Sequence, residues 1–194
     1  MEGVPCLLGI SLKPLALVTT FHGPLTLNQA LKSETTPPML LMRSLQQVVN
    51  IVSGFHARSL IHNDIKSNNI LLCLMDEAPW VRSTVIDLGA VTLKGGQPYK
   101  GMGFRWKDYP FSSPELVTGG QVTEASDVYS LGWLLKEVLL RFPTSSPIRK
   151  KMKGDVMRCL DHNRNLRPSL TDLQTLLAMI DDNDELMQQT NQRR

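Results

Sequence analysis

The strongest indication of the fold is the stretch LIHNDIKSNNILL, residues 60–72, which sets polar side chains between two apolar runs. His62, Asp64, Lys66 and Asn69 fall within eight positions of it. On a rigid loop an Asp can accept a proton from a hydroxyl group, and a Lys two residues later can neutralise phosphate charge. An Asn amide oxygen can ligate Mg²⁺. The spacing therefore predicts a reaction site and not a packing motif.

A second motif, Asp87-Leu88-Gly89, lies eighteen residues beyond Asn69, at the end of an apolar segment. A carboxylate at this position could hold a metal ion that bridges nucleotide phosphates. Two metal ligands, a base and a cation describe phosphoryl transfer, in which positioning and charge stabilisation provide most of the catalysis.

Composition limits the class of protein. The chain has 194 residues, 42% of them hydrophobic, which suits one domain with a real core. The net charge of +3 comes without a basic stripe interleaved with aromatic residues, so nucleic acid is not an expected partner. The basic run at 149–153 is interpreted as the solvated face of a helix.

The expected location is the cytoplasm. Three widely separated cysteines do not form a disulfide framework and favour a reducing compartment. Glu2 and the Lys13-Pro14 pair do not fit a signal peptide, and no apolar window of eighteen residues predicts a membrane span.

Periodicity outlines the elements between these motifs. Apolar residues recur at helical spacing over 39–58, 148–161 and 169–180, and 126–142 reads as a buried helix. Short apolar runs predict strands at 4–10, 15–21, 69–75 and 82–88, the last two around a turn at 76–80. Residues 92–114 have no period and predict a long functional loop.

At this point the sequence resembles the eukaryotic protein kinase family. HNDIKSNN is similar to the catalytic-loop pattern H-R-D-L-K-x-x-N, Asp87-Leu88-Gly89 to D-F-G, and Ser113-Pro114-Glu115 to A-P-E. The resemblance covers about residues 4–180. It implies an α+β, mainly α fold: a kinase C-terminal lobe with a two-strand remnant of the N-terminal lobe.

The domain boundaries follow from the resemblance. Residues 1–182 are expected to form a truncated protein kinase domain. Within it, 1–22 are the N-lobe remnant and hinge, and 23–182 are the C-terminal lobe. Residues 183–194 are expected to be a flexible tail.

The resemblance also assigns roles. It implies ATP and Mg²⁺ as cofactors and a protein as substrate, with Asp64 as catalytic base and Lys66 as catalytic cation. Asn69 and Asp87 would hold the metal. Lys66 two residues after the base suggests Ser/Thr specificity. The residues implied to contact the nucleotide are Thr19 as gatekeeper, Thr20, Phe21 and His22 as hinge, Leu71 as floor, and Asn69 and Asp87 through the metal.

Three further roles are structural. Asp127 would brace the backbone of the catalytic loop, Arg167 would form an ion pair with Glu115, and His62 would pack beneath the loop. The sequence identifies no regulatory partner.

The chain departs from the family at several positions. Asn63 replaces the Arg of H-R-D, so loop phosphorylation, for example at Tyr99, is not expected to activate the protein through that contact. Leu88 replaces Phe. The 52-residue interval from Glu115 to Arg167 looks short by one helix, the helix that many kinases use to dock substrates.

The N-terminal part of the chain departs most from the family pattern. No Gly-rich loop, V-A-I-K lysine or partner Glu can be placed ahead of the strands, and Gly101-Met102-Gly103 lies too late in the chain. The exposed cleft face should leave an apolar patch, so association or instability is expected. A truncated Ser/Thr kinase is the favoured interpretation. A catalytically impaired, pseudokinase-like interaction module is the main alternative, and a small-molecule phosphotransferase of the aminoglycoside or choline kinase kind is a third.

Overall fold

A helical body carries the core of the protein. The computed structural model describes residues 1–74, 81–102 and 106–191. The long helices are α2 (Pro38–His56), α4 (Glu124–Leu139), α5 (Pro147–Cys159) and α6 (Leu170–Asn191), with two short helices, α1 (Leu27–Lys32) and α3 (Pro114–Val117). The predicted α+β, mainly α class is confirmed.

Helix α4 lies at the centre of this body and packs on α2, α5 and α6. It is buried on most sides, as its uniformly apolar sequence predicted. Gly132 allows the close approach of α5, because a Cβ atom at this position would collide with the Cβ atom of Cys159. On α5 the basic run is solvent-facing at Lys150, Lys151 and Lys153, as expected for a solvated helix face.

Strands β3 (Leu25–Thr26), β5 (Ile70–Leu74) and β6 (Val81–Val85) form one antiparallel sheet in the order β3-β5-β6. Ile70 and Leu72 of β5 are buried against the helices, whereas Leu71 lies on the opposite face. At the outer edge of β6, the Gln47 side chain of α2 donates to Val81 O (2.6 Å) and accepts from Ser83 N (2.7 Å). This amide therefore takes the place of a neighbouring strand.

A second pair of strands flanks the segment that carries Asp64 and Asp87. β4 (Leu60–Ile61) pairs with β7 (Thr92–Leu93), which follows the Asp87 motif. This pairing holds the chain before Asp64 against the chain after Asp87.

The first two strands form a separate hairpin. β1 (Leu7–Leu12) pairs antiparallel with β2 (Leu15–Thr19), with a register irregularity between Leu7 and Gly9. These strands correspond to the predicted remnant of the N-terminal lobe, and their large apolar side chains are exposed.

The predicted turns, loops and tail compare with the structure as follows, and some of them lie outside the described residues. The turn at 76–80 lies outside them, as does Gly103. The described residues of the loop at 92–114 include β7, a 3-10 turn at Trp106–Asp108 and, at Pro114, the first residue of α3. Only residues 140–146 separate α4 from α5, which agrees with the missing helix. Helix α6 continues past residue 182, and the tail boundary there remains a prediction.

Within the described residues, none of the helices has the length and apolar character that crossing a lipid bilayer requires.

Candidate active site

Asp127, near the start of α4, anchors the catalytic loop. Its buried carboxylate accepts hydrogen bonds from the backbone N–H groups of His62 and Asn63, each at 2.9 Å. The Nε2 atom of His56 on α2 lies 2.9 Å from the same carboxylate. Two core helices therefore hold the loop backbone in one conformation, and Asp127 takes the bracing position expected of it.

Asp64, Lys66 and Asn69 converge on one point. Lys66 Nζ lies 2.9 Å from Asp64 Oδ1 and 2.8 Å from Oδ2. The Asn69 amide nitrogen donates to Asp64 Oδ2 at 2.8 Å and to the Asp64 main-chain oxygen at 2.9 Å. Because the nitrogen makes both contacts, the Asn69 carbonyl oxygen is the atom left to face a metal ion.

Asp87 stands beside this group on an unusual backbone. Its φ and ψ are 62° and 70°, in the left-handed region that few residues other than Gly adopt. The N–H of Ile86 donates to Asn69 O at 2.9 Å, which links the two motifs directly. The Asp87 side chain is exposed and free to meet a ligand from solvent.

The pKa of Tyr99 is raised by its surroundings in the long loop. Burial raises the pKa of the Tyr99 phenol, and the negative charges of Asp64 and Asp87 raise it further.

Asn63 uses its amide for uncharged contacts. Nδ2 donates to Ile61 O at 3.1 Å, to Ala90 O at 2.7 Å and to Thr92 Oγ1 at 3.0 Å. The residue is buried and has a φ of 67°. Asn63 therefore ties the catalytic loop to the segment after Asp87 without a phosphate group. Whether loop phosphorylation activates the protein stays a prediction.

His62 is a packing residue, as expected. It is fully buried and meets Phe55 edge-on, with ring centroids 5.5 Å apart. Its Nδ1 atom accepts a hydrogen bond from Asp64 N at 3.3 Å. Burial lowers the pKa of His62, and the nearby carboxylates of Asp127, Asp64 and Asp87 oppose that shift only in part.

The predicted ion pair between Glu115 and Arg167 is present. Arg167 Nη1 and Nη2 lie 2.7 and 2.9 Å from the two Glu115 carboxylate oxygens, and Ser126 Oγ donates to Oε1 at 2.8 Å. Burial by itself raises the pKa of Glu115, but the hydrogen bonds and charge of Arg167 outweigh it and hold the pKa below its usual range.

Two contacts of the site were not anticipated from the sequence. Lys66 Nζ lies 5.5 Å from the ring centroid of Phe111, in a cation–π contact. Burial raises the pKa of Glu137 on α4, and interactions with Trp133 and with Ser67 of the catalytic loop oppose the shift. Neither pairing has a local signal, since the partners lie far apart in the chain.

The residues expected to contact the nucleotide base form a separate group. Thr20 N donates to Cys6 O at 2.9 Å, and Thr20 Oγ1 lies 2.7 Å from His22 Nε2. Thr19 and Phe21 are exposed. The chain then runs beside β5, where Thr26 pairs with Leu71. No described hydrogen bond joins Thr19, Thr20, Phe21 or His22 to Asp64, Asn69 or Asp87.

A cleft of about 810 Å³ lies elsewhere, between the first residues of the chain, α2 and β6. His22 is the one predicted site residue in its lining. The cleft is distinct from the group formed by Asp64, Lys66 and Asn69.

The donor set suits Mg²⁺. No cluster of three or more His, Cys, Asp or Glu side chains suited to a metal occurs in the described parts of the chain. Mg²⁺ in phosphoryl-transfer sites is commonly bound by one or two protein ligands together with substrate phosphates and water. The Asn69 carbonyl oxygen and the exposed Asp87 carboxylate fit such a site.

The helical body and the loop that it braces are of the protein kinase type. The chain belongs to the protein kinase domain family, whose model matches residues 12–185.

Curated relatives agree with this family. The chain is 32% identical over 126 residues to a leucine-rich repeat receptor-like serine/threonine-protein kinase of Arabidopsis thaliana, covering 65% of this chain and 11% of that protein. It is 36% identical over 109 residues to a mitogen-activated protein kinase kinase of Aspergillus fumigatus, covering 56% and 20%. It is 29% identical over 102 residues to the serine/threonine-protein kinase PrkC of Bacillus subtilis, covering 53% and 15%. The chain thus spans a fifth or less of these relatives.

Proposed function

We propose that this chain is a Ser/Thr protein kinase that transfers the γ-phosphate of ATP to hydroxyl groups of protein substrates in the cytoplasm. The observation that carries the proposal is the convergence of Lys66 and Asn69 on the Asp64 carboxylate, on a loop anchored by Asp127. Membership of the family and the similarity to Ser/Thr kinases support it.

Each residue has a distinct task in this proposal. The Asp64 carboxylate orients the substrate hydroxyl and accepts its proton. Lys66 balances negative charge on the phosphate oxygens, and Asn69 holds Asp64 in place while presenting its carbonyl oxygen to the metal. Asn69 and Asp87 would hold Mg²⁺, which neutralises phosphate charge when bound. Thr19, Thr20, Phe21, His22 and Leu71 would contact the nucleotide.

The test measures binding and transfer separately. Mg·ATP binding is followed by calorimetry, and phosphate transfer is followed with radiolabelled ATP and a generic Ser/Thr-containing protein. Asp64→Asn should retain nucleotide binding and lose transfer by on the order of 100-fold or more. Asn68→Asp, an exposed change in the same loop, is the matched control and should keep most of the activity.

A catalytically impaired, pseudokinase-like interaction module is the second candidate. The open surface at the hinge favours it, since Phe21 is 81% exposed and Thr19 is also exposed. Folded protein that binds no Mg·ATP at millimolar concentration would establish this alternative. Transfer that survives in Asp64→Asn at the original rate would exclude the catalytic role given to Asp64.

A further inference from the structure

Lys66 reaches the Asp64 carboxylate with a side chain that is partly exposed to solvent. Its ammonium group contacts both carboxylate oxygens, at 2.8 and 2.9 Å, and the side chain is 29% exposed. Water screens an ion pair of this kind, and a lysine side chain has many rotamers that compete with the paired one. A second contact is therefore needed to hold the Lys66 ammonium group in one place.

The ring of Phe111 provides this second contact. Lys66 Nζ lies over the ring, 5.5 Å from its centroid, which is within the range of a cation–π interaction. The face of an aromatic ring carries partial negative charge and attracts an ammonium ion. The carboxylate of Asp64 and the ring of Phe111 therefore restrict the Lys66 ammonium group together.

The position of Phe111 is set by helix α4 and by its own turn. Its main-chain oxygen accepts a 2.8 Å hydrogen bond from Ser130 Oγ on α4, and Ser130 is buried. The Tyr109 ring packs edge-on against the Phe111 ring, with centroids 6.2 Å apart. Within the same turn, Ser112 N donates to Tyr109 O at 3.0 Å. The ring thus has supports that do not involve Lys66.

The same helix also sets the position of the carboxylate. Asp127 of α4 holds the loop that carries Asp64. Ser130 lies three positions later on α4, and residues at this spacing are neighbours on one side of a helix. Helix α4 therefore fixes the two groups that contact Lys66 relative to each other.

We propose that Phe111 is a positioning residue for phosphate transfer, whose ring steadies the Lys66 ammonium group as it moves from Asp64 to the phosphate oxygens. The inference rests on the function proposed above, in which Lys66 balances phosphate charge. A phosphate group competes with Asp64 for the ammonium ion. The uncharged ring does not take part in that competition and can keep its contact with Lys66 throughout.

The kinetic test separates the aromatic face from simple apolar packing. Phe111→Leu keeps an apolar side chain without an aromatic face. It should lower kcat by about 10-fold and leave the KM for Mg·ATP within about 2-fold of the wild-type value. Phe111→Tyr keeps the ring and should hold kcat within about 2-fold of the wild type. Equal losses of kcat in the two variants would overturn the proposal.

A double-mutant cycle tests whether the effect of Phe111 acts through Lys66. Lys66→Met removes the ammonium group and keeps a side chain of similar shape. In this background, adding Phe111→Leu should lower kcat by less than about 2-fold further. A further loss of about 10-fold would show that Phe111 acts independently of Lys66, and the proposal would be wrong.

Nuclear magnetic resonance tests the position of Lys66 without requiring catalysis. In a chain labelled with ¹³C-lysine, the Lys66 ε-methylene protons are identified by the signal that Lys66→Arg removes. They should resonate upfield of other lysine signals, because the adjacent Nζ atom lies over an aromatic ring. The upfield displacement should disappear in Phe111→Leu and persist in Phe111→Tyr.

The spectra also separate failure of this inference from failure of the proposed function. A Lys66 signal that is unchanged in Phe111→Leu would overturn the positioning role, even in an active enzyme. A wild-type chain with the upfield displacement but no phosphate transfer would overturn the proposed function and, with it, the catalytic use of a contact that is present.

Discussion

Asn63 shows how a single side chain replaces a charge-dependent contact. Its amide reaches a carbonyl on each side of the site and a hydroxyl in β7. Its left-handed backbone is one that Asn adopts more readily than most residues. The catalytic loop is therefore held to the segment after Asp87 by neutral hydrogen bonds that need no modification.

We predict that Asn63→Asp destabilises the protein by about 2–4 kcal/mol, because it buries a carboxylate against carbonyl oxygens that lose their donor. Urea unfolding followed by circular dichroism measures the change. Asn68→Asp, an exposed change of the same chemistry, should alter stability by less than about 0.5 kcal/mol. Equal stability of the two variants would show that the Asn63 amide contacts are dispensable.

His62 makes the stability of the fold depend on pH. Its pKa in the folded protein lies below 6.5, because burial disfavours the imidazolium form. A depressed pKa means that the unfolded chain binds the proton more tightly than the folded chain does. The contribution of His62 is therefore complete above pH 6.5 and is lost as the pH falls below that value.

We predict that His62→Gln reduces the fall in unfolding free energy between pH 6.5 and pH 5. Denaturant titrations across this range measure it. If the unfolding free energy falls more steeply with decreasing pH in His62→Gln than in the wild type, burial does not lower the pKa of His62 as predicted.

At the scale of elements, α4 organises both halves of the site. Asp127 holds the catalytic loop from below, Ser126 hydrogen-bonds Glu115 of α3, and Ser130 Oγ donates to Phe111 O at 2.8 Å. One helix thus positions the loop that carries Asp64 and the segment that carries Phe111. The ion pair between Glu115 and Arg167 then joins α3 to the chain that leads into α6.

We predict that Glu115→Gln destabilises the protein by about 3 kcal/mol, because the buried Arg167 guanidinium loses its counter-charge. The control is Glu124→Gln, which breaks a more exposed ion pair with Lys94 and should cost less than about 1 kcal/mol. Thermal and urea unfolding give both values. Since the pKa of Glu115 is depressed, the difference between wild type and Glu115→Gln should shrink as the pH falls below 4.5.

At the scale of the whole molecule, a well-packed helical body is joined to a hairpin whose large side chains are exposed to solvent. The proposed metal ligands belong to the body, whereas the proposed hinge residues, at 20–22, follow the hairpin. Nucleotide binding is therefore expected to depend on both parts. Contacts to the phosphates should contribute most of the binding free energy, because the core already fixes the geometry of that part of the site.

We predict that saturating Mg·ATP raises the melting temperature by roughly 5–10 °C, since a ligand at a hundred times its Kd adds about 2.7 kcal/mol to the folded state. Differential scanning fluorimetry measures the shift. Asp87→Asn should abolish most of it, whereas Asp155→Asn, a change on the surface of α5, should keep it. A full shift in Asp87→Asn would remove Asp87 from the metal site.

Much of this architecture was predictable from local patterns. The helical period over 39–58 anticipated α2 (Pro38–His56), and the apolar run at 126–142 anticipated α4 within a few residues. Glu115 and Arg167 were paired through the family resemblance. The partners of Asn63, the contact between Lys66 and Phe111 and the side of the hairpin that carries the aliphatic groups were not predictable, since each depends on packing or strand register.

The sequence alone determined which chemical groups are available and in what order, because helix and strand periods and the spacing of the Asp64 and Asp87 motifs are local properties of the chain. Only the tertiary structure decided which groups meet. Arg141, two residues after the end of α4, for example donates to the carbonyl oxygens of Ala30, Leu31, Ser33 and Thr36, more than a hundred residues earlier. Such contacts depend on how buried surfaces fit together, and no short stretch of sequence encodes that fit.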